Sequence, residues 1–141
     1  AASDVYKRQD MLLLIDCSLL VLIWIVQIVV YPSFRFADEH TFSAWHANYA
    51  RRISLIAGPL MLLQAGAHVS TVWSESNVTN GIAALLIAAA WAATTFLSVP
   101  CHRALQQQGK DQLQIARLIN TNWIRTACWT GVFILTLARF W

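Results

Sequence analysis

Asn120-Thr-Asn-Trp-Ile-Arg-Thr-Ala-Cys-Trp-Thr130 decides how this chain is read. It opens the last long apolar run of the sequence, yet it carries Asn122 and Arg125. An arginine at the centre of a membrane helix costs about 2.5–3.5 kcal/mol on insertion scales. Such a residue needs a compensating partner, and it marks a functional-site hypothesis wherever it occurs. Asn122, Arg125, Thr126 and Trp129 follow offsets of 3, 4 and 7, so they share one stripe of a helix.

Three other apolar runs precede this one. Met11–Tyr31, Ile53–Trp73 and Gly81–Val99, with Trp123–Phe140, each come close to the roughly 20 residues that cross a bilayer. Of the 141 residues, 57% are hydrophobic and 12% charged, about half the charged share of roughly 25% in soluble proteins. A soluble bundle would need a charged face on every helix, which these runs lack. The pattern predicts an all-α, four-transmembrane-helix bundle in one domain, with helices at about 11–31, 52–73, 81–99 and 112–140. Asp111 is placed to cap the last helix, which starts as an amphipathic lead-in. Ala1–Gln9 resembles translated adapter sequence, and positions 1–10 are set aside as a non-native or disordered segment.

Charge sets the expected topology. Arg35, Arg51, Arg52, Arg103, Lys110, Arg117 and Arg125 fall at one side, and Arg139 at the other. The positive-inside rule then puts the basic loops in the cytoplasm and both termini outside. The net charge of +3 gives no support for a nucleic-acid partner. Cys17, Cys101 and Cys128 form no Cys-x-x-Cys and are read as small buried hydrophobes.

Each helix carries a polar stripe that lipid would penalise, so each stripe should face inward. In the first it is Asp16, Trp24, Gln27 and Tyr31; in the second, Met61, Gln64, His68 and Thr71. In the third, Trp91, Thr95, Ser98 and His102 share a face, alongside an alanine-rich run suited to close packing. Tyr31-Pro32 should end the first helix. Ser33–Ala50, with Phe34, Phe36, Phe42 and Trp45, reads as an interfacial amphipathic segment before the second helix. Gly58-Pro59 should kink that helix, and Asn80-Gly81 should form a turn.

Two signatures occur twice. Pro32-Ser-Phe-Arg35 matches Pro100-Cys-His-Arg103, and Asn48-Tyr-Ala-Arg51 matches Asn122-Trp-Ile-Arg125. This echo suggests two pseudo-symmetric helical hairpins, a parallel repeat.

Topology gathers Tyr31, His46, Asn48, Arg51, His102, Asn122 and Arg125 at the basic side, with Trp129 one turn deeper. The candidate catalytic set is His46, His102, Arg51, Arg125 and Asn122; Tyr31 and Trp129 are candidate cofactor-binding residues. Arginine offers fixed planar donors, asparagine an orientable amide, and histidine a ligand or an acid/base group. Three chemistries fit. His46, His102 and His40 are candidate ligands for a transition metal, although no His-x-x-x-His or Glu-x-x-His spacing is present. A haem is the second option. The third is a lipophilic molecule whose anionic or carbonyl head meets the arginines, with acid/base work by histidine. The opposing structural reading has Arg51 and Arg125 merely bonding free carbonyls at helix ends. Separately, Asp16 and His68 should lie level and pair.

Trp45-His46-Ala-Asn-Tyr49, Pro100 to Leu105 and Asn122 to Thr126 resemble motifs of small bacterial four-helix membrane proteins, a group that includes the anthrone-oxygenase-like proteins. The resemblance implies a bacterial inner-membrane, multi-pass protein with periplasmic termini and an oxidoreductase activity that oxygenates a polycyclic aromatic. The expected partners are the lipid bilayer, a lipophilic small molecule and a second copy of the chain. The alternatives are a haem-, quinone- or lipid-binding module without turnover, and a structural subunit of a membrane complex.

Overall fold

The computed structural model describes residues 2–140, with side chains over 7–139, and all regular structure in that range is helical. Four helices follow one another. The first joins Ala2–Ile25, a π turn at Val26–Val30, Tyr31–Ser33 and a 3₁₀ turn at Phe34–Phe36. The second is Phe42–Ser74. The third joins Val78–Ala93, a π turn at Thr94–Ser98 and Val99–Gln108. The fourth is Gln112–Leu137, closed by a 3₁₀ turn at Ala138–Phe140. Position 1, part of the segment set aside above, lies outside the described residues.

Three of the four, over Lys7–Phe36, Phe42–Ser74 and Val78–Gln108, are long and apolar enough to cross a membrane. Their outer faces carry exposed Leu14, Ile28, Leu55, Leu62, Leu85 and Phe96, a surface compatible with lipid. The second helix has 33 residues and is about 50 Å long, well beyond the roughly 30 Å of a hydrocarbon core.

Each helix packs against two neighbours, in the cyclic order first, second, third, fourth. The fourth contacts the third and the first extensively. Small residues permit this: a Cβ at Gly131 would lie 3.0 Å from Leu86 Cδ1, and Ala83 and Ala90 are fully buried. Leu19, Ile23, Leu118 and Trp129 fill the middle of the core.

Prolines shape the first and third helices in the same way. The Tyr31 N–H donates to Val26 O and the Val99 N–H to Thr94 O, each five residues back. Proline follows at once in both, as Pro32 and Pro100. A proline ring clashes with the carbonyl four residues back and supplies no N–H. The wider π turn relieves that conflict and lets the helix continue. The first helix therefore does not stop at Pro32 but runs to Phe36. Pro59 sits inside an uninterrupted α-helix.

The region before the second helix also differs from expectation. A short loop spans 37–41, and from Phe42 the chain is already part of the second helix. Phe34 and Phe42 are fully buried, while Phe36 and Trp45 stay exposed. Edge-to-face contact between Phe34 and Phe42 draws both inward. At the opposite end Asn77 caps the third helix by accepting from the Asn80 N–H. Asn80 and Gly81 consequently lie within that helix rather than forming a turn. Asp111 caps the fourth helix, accepting from the Leu113 and Gln114 N–H groups.

Candidate active site

The inward stripe of the fourth helix is the backbone of the site. Asn122, Arg125, Thr126 and Trp129 are all buried, Arg125 with 8% exposure. Asp16, Gln27, Tyr31, Gln64, His68, Thr71 and Ser98 are buried opposite. Trp24 sits at the edge of its stripe, with its indole N–H 3.2 Å from Thr130 Oγ1. Of the expected stripe of the third helix, Ser98 is buried, whereas Thr95, inside the π turn, is exposed.

Three linked polar groups result. At the basic end, Arg125 donates to Ser98 Oγ at 3.0 Å and to the Tyr31 hydroxyl at 3.4 Å. Tyr31 Oη is 3.1 Å from His102 Nε2, and His102 Nδ1 is 3.0 Å from His46 Nε2. Phe34 meets the His46 ring edge-on at 5.2 Å between centroids, and Phe42 stacks on it at 5.4 Å. The Tyr31–His102–His46 chain can run in either sense, because each imidazole has two tautomers. In one sense Tyr31 donates to His102. In the other, His102 donates to Tyr31, and the tyrosine hydrogen is free for another acceptor.

In the middle, Asn122 donates to Gln27 Oε1 at 2.8 Å, and Gln27 Nε2 donates to Ile119 O at 3.2 Å. Trp129 lies under Arg125, 5.2 Å from guanidinium carbon to ring centroid, a cation–π contact. Its indole N–H donates to Gln64 Oε1 at 2.9 Å. Toward the far end, Asp16 collects donors from two other helices. Gln64 Nε2 lies 2.7 Å from Oδ1, His68 Nε2 3.0 Å from Oδ2, and Thr136 Oγ1 2.7 Å from Oδ2. The expected Asp16–His68 pair is present. Gln64 and Thr136 had not been singled out as its partners; both are polar residues at inward positions of helices.

A cavity of about 430 Å³ opens between the second and third helices and reaches Arg125 and Trp129 on the fourth. Leu22, Ile53, Ala57, Met61 and Val99 give it apolar walls, and Tyr31, Ser98, His102 and Arg125 a polar end. A volume of this size falls in the range of roughly 300–1,000 Å³ typical of small-molecule sites.

Several candidate residues lie elsewhere. Arg51 is exposed and donates to Asn48 Oδ1 at 3.2 Å, within its own helix. His40 is exposed in the loop and is not part of the cluster. Asn122 is fully buried against Gln27 and is not among the cavity-lining residues. His46 touches the cavity only through His102.

Among the described residues, no three His, Cys, Asp or Glu side chains come together. Both ring nitrogens of His102 are engaged, and His46 is walled in by aromatic rings. His46 Nδ1 is buried and has no hydrogen-bond partner, and His46 is not among the cavity-lining residues.

Comparisons with family models, with curated proteins and with solved structures find no match to this chain.

Proposed function

We propose that this chain is an integral membrane protein that binds a lipophilic small molecule in the cavity between its second and third helices. The observation that carries the reading is an apolar-walled cavity ending on a buried arginine, a tyrosine and a histidine from three different helices. The fourth helix is the fourth span in this reading. Asn122, Arg125, Thr126 and Thr136 face inward, while Trp123, Ile124 and Ile134 face outward, so the stretch from Asn122 on can lie in lipid beside the other three helices. The arginine bias puts the basic end in the cytoplasm, in a bacterial inner membrane if the motif resemblance holds. The matching π turns before Pro32 and Pro100 favour two hairpins related by a pseudo-twofold.

Binding without turnover is the simpler form of this function. An oxidoreductase is the second reading, and the Tyr31–His102–His46 chain favours it. Tyr31 lines the cavity and is positioned to give a proton to a ligand oxygen, with His102 behind it.

Gly58 provides the test. It lines the cavity, and a Cβ there meets nothing within 4 Å. Gly58→Leu should keep the fold and fill the mouth. Titrated with decylubiquinone or oleyl alcohol in nonionic micelles, the native chain is expected to bind saturably, one molecule per chain. Gly58→Leu should weaken that binding by about tenfold or more, worth about 1.4 kcal/mol. Non-saturable partitioning that is equal in both proteins would remove the reading.

A further inference from the structure

Resting on the reading above, we infer that the ligand's head is an anion, specifically the carboxylate of a single-chain amphiphile of the fatty-acid class. The cavity has no acidic residue in its lining, but it has two arginines. Arg103 is exposed at the rim; Arg125 is buried at the inner end. Arginine stays protonated under all ordinary conditions. Both hydrogen bonds from Arg125 go to neutral hydroxyls, those of Tyr31 and Ser98. The only close ion pair among the described residues is Asp16 with His68, in a separate cluster, so Arg125 has no carboxylate beside it.

Unused donors point the same way. The Arg125 Nε–H and the Trp91 Nε1–H are buried and have no acceptor, and both residues line the cavity. Buried N–H groups without partners are rare and costly. The inner end therefore holds one positive charge with a spare donor, beside a Tyr31 hydroxyl that is free to donate when His102 donates to it. A quinone or an alcohol would satisfy a donor but leave the charge uncompensated. A carboxylate does both, and its two oxygens match the fork of a guanidinium. The cavity lies near the small end of ligand-site volumes, which favours one chain over two. The rim position of Arg103 suits the capture of an anionic head from the membrane surface.

The experiment uses the full chain in nonionic micelles, followed by intrinsic tryptophan fluorescence, to which the cavity-lining Trp91 and Trp129 contribute. Oleate, oleyl alcohol of the same chain, decylubiquinone and dioleoyl phosphatidate are titrated in parallel. Oleate should bind about tenfold or more tighter than the alcohol and the quinone, and tighter than the two-chain phosphatidate. Arg125→Gln should abolish the preference for oleate over the alcohol. Should that variant fail to fold, Arg103→Gln, at an exposed position, should still weaken oleate severalfold more than it weakens the alcohol. Equal affinity for oleate and the alcohol, or tighter binding of quinone or phosphatidate, overturns the carboxylate assignment but leaves a lipophilic site. Absence of saturable binding by all four overturns both.

Discussion

Asp16→Ala is expected to destabilise the bundle by about 2–5 kcal/mol, because it strands three buried donors. Asp16 is 1% exposed and accepts from Gln64, His68 and Thr136. Interhelical hydrogen bonds measured inside a membrane bundle average about 0.6 kcal/mol and reach about 1.7. Three of them ending on one carboxylate come to about 2 kcal/mol at that average and about 5 at that maximum. Alanine would leave three donors buried without an acceptor, and lipid offers no replacement. Asp16→Asn should cost less, because it keeps one carbonyl oxygen for one or two of those donors. Glu39→Ala, at an exposed loop position, should stay within about 0.5 kcal/mol of the native chain. Equilibrium unfolding in mixed micelles with a rising fraction of dodecyl sulfate measures all three. A loss below about 1 kcal/mol for Asp16→Ala would show that the cluster is not formed.

Gln27→Leu carries the second large effect, about 1–3 kcal/mol, the usual cost of stranding buried polar groups. The Gln27 carboxamide ties the first helix to the fourth in both directions: Asn122 donates to it, and it donates to Ile119 O. Leucine would strand the Asn122 amide, which is fully buried. Asn122→Leu alone should cost a similar amount. The double variant should cost clearly less than the sum, since replacing both partners by apolar groups removes the stranded donor. Strict additivity in the same unfolding assay would contradict the contact.

Periodicity made much of this arrangement legible. Apolar runs of span length gave four helices, and offsets of three, four and seven placed Gln64, His68 and Thr71 on one buried stripe. Level positions on antiparallel neighbours were enough to pair Asp16 with His68. Topology likewise brought His46 to His102 and Tyr31 to Arg125. What the offsets missed follows from one cause, the two π turns. Each widens its helix by a residue, so a 3.6-residue count drifts past it. Thr95 lies inside the second of these turns and faces out, and Pro32 read as a terminus because proline ends an ordinary α-helix, which the wide turn avoids. Side-chain direction at the basic end was a separate failure. His40 and Arg51 belong to the same end of the bundle as the cluster, but a shared end does not fix direction, and both face outward.

Nitrogen-15 NMR of the histidine-labelled chain in micelles tests most directly whether groups from separate helices meet inside the bundle. The chain has four histidines. Two rings, His46 and His102, should show a coupling across an N–H···N hydrogen bond; a third, His68, should give a side-chain N–H shielded from solvent by its carboxylate partner. His40 should exchange freely with water. Four imidazoles that all exchange with water, and no ring-to-ring coupling, would contradict the meeting of these side chains in one interior.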